Sequence, residues 1–69
     1  PPTGRYHIEV QGASRAEAHI YTLQGSLVAH HEGEGLNSYR FEGTLPTGSS
    51  YYVTVTTPEG KQTTKLIVK

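Results

Sequence analysis

The sequence predicts an all-β fold, an antiparallel sandwich or a small barrel, on three observations. Short segments alternate apolar and polar residues with a period of two, which is typical of half-buried strands. Glycine and proline turn signals separate these segments at the roughly 8–12-residue spacing of antiparallel sandwiches. Five tyrosines and many threonines, valines and isoleucines suit a pleated surface. The 69 residues are enough for one domain, residues 1–69, and the single helix-compatible window, residues 13–18, is too short to stand alone.

Three strands are predicted in the first half of the chain. The first covers residues 6–10 and the second residues 18–23, and both alternate strictly. Residues 26–31 can return beside the second strand as a hairpin, because the Gln-Gly pair at 24–25 supplies a two-residue loop and glycine accepts a positive φ. A polar, glycine-rich loop is expected next, over residues 32–35.

The second half predicts three more strands, over residues 37–42, 51–57 and 62–68. Leu-Pro-Thr-Gly at 45–48 indicates a turn, because proline removes a ladder donor and glycine tolerates the left-handed region. Pro-Glu-Gly at 58–60 indicates the next turn.

The apolar residues at alternate positions of these strands define the predicted core. They are Ile8, Val10, Ala18, Ile20, Val28, Tyr39, Phe41, Leu45, Tyr51, Val53, Val55, Leu66 and Val68.

Composition excludes several classes of function. Without cysteine the chain has no disulfide, thiolate metal site or cysteine nucleophile. Six Lys and Arg balance six glutamates, so the clustered positive charge of a nucleic-acid interface is missing and we expect no nucleic-acid partner. Neither an aspartate nor a nucleophile-elbow glycine pattern is present for a hydrolytic triad. We therefore expect no catalytic residue, and a protein that is not an enzyme.

Histidine is the best candidate for chemistry. His30 and Glu32 can share one strand face, with His7 or His19 nearby, and two imidazoles with a carboxylate can bind zinc. No close histidine pair has a third fixed ligand, so we interpret these residues as solvent-facing polar positions. We expect no metal and no cofactor.

Tyr21 and Tyr52 are predicted on the face opposite the core. Exposed tyrosines can form an aromatic platform for sugars, although they more often pair across strands and shield a sheet. A carbohydrate-binding or adhesive module of an extracellular enzyme is therefore the alternative function, and a passive fibronectin-like spacer is a third.

Several motifs follow one another along the chain. Pro-Thr-Gly at 2–4 leads into the first strand, and Ile-Tyr-Thr-Leu-Gln-Gly at 20–25 precedes Val28. Leu-Pro-Thr-Gly at 45–48 leads into a tyrosine-valine strand, and Lys-Leu-Ile-Val-Lys at 65–69 follows a polar turn. This ordered set, which covers essentially the whole chain, resembles the C-terminal sorting domain of type IX secretion cargo proteins from Gram-negative Bacteroidota. Before the tyrosine-valine strand this chain has two serines where the family usually has one residue, which predicts a β-bulge or a longer turn.

The resemblance implies an immunoglobulin-like sandwich of about six to seven strands that acts as a C-terminal sorting signal. It would direct an attached N-terminal cargo domain from the periplasm across the outer membrane, to the cell surface or the medium. Its implied partners are the outer-membrane translocon components, a sortase-like signal peptidase at the surface, and the cargo domain itself. The implied recognition residues are Gly25, Leu45, Pro46, Gly48, Lys65, Leu66, Ile67, Val68 and Lys69.

The C-terminal strand is expected at a sheet edge. Unpaired backbone there would let a receptor add a strand, or let two copies form a homodimer by edge pairing or swapping. Lys65, Ile67 and Lys69 would face away from the core, where lysines also protect an edge from aggregation.

Overall fold

The computed structural model describes the backbone of residues 3–67 and the side chains of residues 3–61. This part of the chain is all-β, as predicted, and contains no helix long and apolar enough to cross a membrane. Its strands are β1 (Thr3–Gln11), β2 (Arg15–Thr22), β3 (Leu27–Glu34), β4 (Ser38–Pro46), β5 (Ser50–Thr57) and β6 (Gly60–Ile67).

Two antiparallel sheets form an immunoglobulin-like sandwich, as the resemblance implied. β1 pairs with β4, and the second sheet has the order β3-β2-β5-β6. These positions correspond to strands B and E facing strands C′, C, F and G of immunoglobulin-like domains. Tyr51, at the start of β5, donates a hydrogen bond of 3.1 Å from its hydroxyl to the Pro46 carbonyl, which is the tyrosine corner of such domains.

Two clusters of buried side chains join the sheets. The first consists of Tyr6, Ile20, Leu45, Tyr51 and Val53. The second consists of Val10, Ala13, Ala16 and Tyr39. The half-buried side chains of Ile8 and Val55 pack against both clusters. Most of the predicted core is therefore confirmed, whereas Tyr6, Ala13 and Ala16 were absent from the predicted core, and Leu66 and Val68 lie outside the described side chains.

The β2–β3 loop has four residues, 23–26, and the predicted two-residue loop was wrong. The Thr22 N–H donates to the Ser26 carbonyl at 2.8 Å, and the Gly25 N–H donates to the Thr22 carbonyl at 3.0 Å. Gly25 completes the loop at φ +96°, a conformation that disfavours any residue with a side chain.

Val28 is 43% exposed, so its prediction as a core residue was wrong. The β2–β3 register shifts by one residue beyond the loop: Tyr21 faces Leu27, whereas Ile20 faces Ala29. Val28 is the extra residue of this β-bulge, and the bulge leaves the inner position to Ala29.

Gly33 belongs to β3, although the sequence predicted a loop over residues 32–35. A Cβ at this position would lie 2.7 Å from the ring of Tyr39, which packs directly on the glycine. The aromatic ring therefore explains a glycine inside the strand, and the loop itself covers only residues 35–37.

The predicted turn at 45–48 begins two residues later than expected. Leu45 and Pro46 still belong to β4, and residues 47–49 connect it to β5. From Ser50 onward β5 pairs with β6 without a register shift. The extra serine therefore lengthens the turn and does not create a bulge.

Candidate functional site

One end of the sandwich collects the segments predicted to carry recognition. The register pairs Thr22 with Tyr51, and Ser50 with Ile67. The β2–β3 loop, the β4–β5 turn and the end of β6 therefore lie at the same end of the molecule. We call this end the hairpin pole; it comprises residues 23–26, 46–49 and 67.

The predicted recognition residues of the two turns have different roles. Gly25 and Gly48 are exposed and have φ values of +96° and +81°, so they set the shape of the turns. Leu45 is buried in the first cluster, where it anchors its turn and offers no surface to a receptor. Pro46 is exposed, and its carbonyl accepts the hydrogen bond from Tyr51.

The predicted recognition strand lies at a sheet edge, as expected. β6 is the last strand of its sheet, and its register pairs Lys65 with Tyr52 and Leu66 with Tyr51. Ile67 is the last residue of β6, whereas Val68 and Lys69 lie outside the described residues.

An exposed apolar patch at the hairpin pole was not predicted from the sequence. We call it the hairpin patch; it consists of Leu23, Leu27, Val28 and Tyr52, with exposures of 43–55%. Tyr21 lies between Leu27 on β3 and Tyr52 on β5 in the register, which makes the patch continuous across three strands. Contiguous exposed apolar surface of this kind marks interaction sites. The available signal in the sequence was the pair of leucines at the loop, Leu23 within it and Leu27 directly after it.

A row of rings continues from the patch across the outer face of the four-stranded sheet. The His19 ring stacks between His30, at a centroid distance of 4.6 Å, and Tyr21, at 6.3 Å. Tyr21 and Tyr52 face each other across β2 and β5, and Tyr52 is exposed, so the predicted outward placement of these tyrosines is confirmed.

The structure brings some of the candidate metal ligands together. His19 and His30 are neighbours and Glu32 follows two residues after His30 on β3, whereas His7 lies on the other sheet, where it contacts Glu9 at 3.4 Å. Among the described side chains, no group of three histidines or carboxylates is placed to hold a metal ion.

The outer face of β1 and β4 carries charged side chains of both signs, and its net charge is close to zero. Arg40 contacts Glu9 at 3.0 Å and Glu42 at 3.5 Å, and Arg5 contacts Glu42 at 3.5 Å. Such exposed pairs contribute little to stability, and their charges cancel. The two outer faces of the sandwich therefore differ, and the aromatic and apolar one is the better candidate for recognition.

Alkaline pH is expected to destabilise the protein through Tyr6. Burial raises the pKa of Tyr6 above its ordinary value of 10.0, and a hydrogen bond of 2.8 Å joins its hydroxyl to His31 Nε2. Near pH 10 the unfolded chain ionises Tyr6 while the folded chain keeps it neutral. The stability linked to Tyr6 is therefore complete below that pH and lost as the pH rises above it. Urea unfolding from about pH 8 to about pH 11 should show a decline that is shallower in Tyr6→Phe, and identical slopes would contradict this assignment.

Comparison with protein-family models, with curated proteins and with solved structures finds no match to this chain. The functional interpretation therefore depends on the ordered sequence motifs and on the geometry of the hairpin pole.

Proposed function

We propose that this chain is the C-terminal sorting domain of a type IX secretion cargo protein, a signal that the translocon reads and not an enzyme. The observation that carries the proposal is the convergence of the motifs. The segments that resemble the family's middle and end motifs are far apart in the sequence, and they meet at the hairpin pole.

The hairpin pole has two properties that suit recognition of a folded signal. The hairpin patch supplies apolar surface whose burial would drive association. β6 supplies an edge to which a receptor can add a strand, giving backbone hydrogen bonds in a fixed register. Under this proposal a surface signal peptidase cleaves the polypeptide before or near β1, and the domain is its substrate.

The proposal is tested by joining residues 1–69 to the C-terminus of a periplasm-targeted fluorescent protein in a host with a working type IX pathway. We expect fluorescence at the surface or in the medium, and its loss when the translocon is disabled. An intact, folded fusion that stays in the periplasm would contradict the proposal.

The hairpin patch is expected to be required for this export. The double variant Leu23→Ser, Leu27→Ser should reduce exported fluorescence at least about tenfold, because it removes apolar contact area without touching the core. Leu36→Ser is the matched control, since Leu36 is 65% exposed but lies in the β3–β4 loop at the opposite end. Circular dichroism should show both variants folded; equal export of the two would exclude the patch as the recognition surface.

Deletion of residues 65–69 is expected to abolish export of the fusion. Because Leu66 pairs with the buried Tyr51, the deletion also weakens the fold, and it is informative only if the truncated domain remains folded. The substitution Lys65→Glu reverses one charge and keeps the strand, so it tests the same segment at lower structural cost. Full export by a folded truncated fusion would contradict recognition through this strand.

One observation favours carbohydrate binding as a second candidate function. Tyr21 and Tyr52 form a cross-strand pair on the outer face, and the Tyr52 ring is exposed enough to stack on a sugar. Saturable binding to a glycan that Tyr52→Ala abolishes, in a domain that does not direct export, would support this function over the sorting signal.

A further inference from the structure

The two layers of the sandwich are unequal, and a groove results. Two strands, β1 and β4, cover a sheet of four, and a groove of about 620 Å³ opens beside β1 above β5 and the start of β6. Ile8 and Val10 form its wall, and Val53 and Val55 form its floor. All four are β-branched residues of the kind that line the interior of a sandwich.

The edge of β1 along this groove offers backbone hydrogen-bonding groups. The Gly12 N–H donates to the Asn37 carbonyl at 2.8 Å, so these residues extend the β1–β4 register as a hydrogen-bonded pair. Hydrogen-bonded and non-hydrogen-bonded pairs alternate along an antiparallel ladder, so the even-numbered residues of β1 bond to β4. The odd-numbered residues His7, Glu9 and Gln11 therefore direct their N–H and C=O groups away from β4. All three residues line the groove.

The free edge of β1 lies above the other sheet. Tyr6 of β1 reaches across Gly43 of β4 to His31 of β3, so β4 lies on the β3 side and the free edge of β1 faces β6. β5 and β6 extend beneath this edge, so a strand added to β1 would lie above them. In immunoglobulin-like domains strand A occupies this position beside strand B, and none of the strands within residues 3–67 does so.

The charges of β1 specify the chemistry of a strand that would fit. Arg5 and Glu9 lie on the same outer face of β1, four residues apart, and each also contacts an opposite charge on β4, Glu42 for Arg5 and Arg40 for Glu9. An added antiparallel strand is favoured by an acidic residue opposite Arg5 and a basic residue opposite Glu9, with apolar residues between them facing the groove. The sequence of β1 itself meets these requirements when it pairs antiparallel about His7, because Arg5 of one strand then faces Glu9 of the other.

We propose that this groove binds an extended segment of a partner polypeptide, which adds as a strand to the free edge of β1. The segment is free of proline, alternates apolar with polar residues, and carries charges complementary to Arg5 and Glu9. This site is separate from the hairpin patch, which lies on the outer face of the other sheet.

The test uses the whole chain, isotopically labelled, and a peptide with the sequence of residues 3–11 as the probe. We expect saturable NMR shift changes at Ile8, Val10, Val53 and Val55, with Tyr52 unaffected. A peptide of identical composition with its Arg and Glu exchanged should bind about tenfold more weakly, since two attractive pairs become repulsive. A peptide with His7→Pro, which lacks a central N–H, should bind at least as weakly.

Reversing the charges on both the peptide and the protein should restore binding. The Arg5→Glu peptide should bind the unmodified protein weakly and recover most of its affinity toward the Glu9→Arg protein, whose folding is checked by circular dichroism. Three results would overturn the proposal: no saturation up to about 1 mM peptide, equal affinity for the exchanged peptide, or shifts confined to the Tyr52 face. If the groove resonances instead shift with protein concentration in the absence of peptide, the occupant is a second copy and the proposed partner segment is wrong.

Discussion

Replacing Gly43 by alanine is expected to destabilise the protein by about 2–3 kcal/mol. The Tyr6 ring lies directly over this residue: an added Cβ would be 2.5 Å from the tyrosine oxygen and 2.7 Å from Cζ. The ring cannot move away freely, because its hydroxyl is hydrogen-bonded to His31 and the ring packs in the first buried cluster. A single methyl group therefore forces either a cavity or a broken hydrogen bond.

Chemical denaturation of the Gly43→Ala protein measures this cost, and a double-mutant cycle assigns its cause. Gly43 is not among the glycines of positive φ, so backbone strain does not explain a loss of stability. In a Tyr6→Leu background the same substitution should cost less than about 1 kcal/mol, since the clashing atoms are gone. An unchanged cost in that background would show that the tyrosine is not responsible.

The strands and their buried faces were predictable because one physical signal determines both. Alternation of period two places Tyr6 and Val10 on one face of β1, and Tyr51 and Val53 on one face of β5. All four are buried. A strand with one solvent-exposed and one buried face must alternate polar and apolar residues in this way, whichever strand lies beside it.

Features that depend on the neighbouring strand were not predictable from a single segment. In the sequence Gly33 suggested a loop and Gly43 gave no structural signal. Each of them makes room for an aromatic ring from another strand. Val28 alternated correctly with its neighbours, but the bulge beside it changed which residue faced inward. A one-residue shift in register moves a side chain from one face to the other, and pairing alone fixes the register.

The candidate site was predictable to a similar extent. Gly25 and Gly48 were found because their turns need positive φ, a requirement that acts within a few residues. The convergence of both turns at one pole follows from the pairing of β2 with β5, which local sequence does not specify. The exposed Leu23 and Leu27 had the composition of core residues, and only the structure shows that they are left uncovered.

Ile20 and Val28 should respond very differently to truncation, although the sequence predicted both in the core. Ile20 is fully buried between the sheets, so Ile20→Ala is expected to lower the free energy of unfolding by about 3–4 kcal/mol through lost burial and the remaining cavity. Val28→Ala should change it by less than about 0.5 kcal/mol, because the bulge already exposes this side chain. Urea unfolding of both variants and of Ala29→Gly, which tests the residue that takes the inner position, would measure the contrast. A loss of about 2 kcal/mol or more for Val28→Ala would place Val28 inside, and would mean that β3 pairs with β2 without the bulge that shapes the hairpin pole.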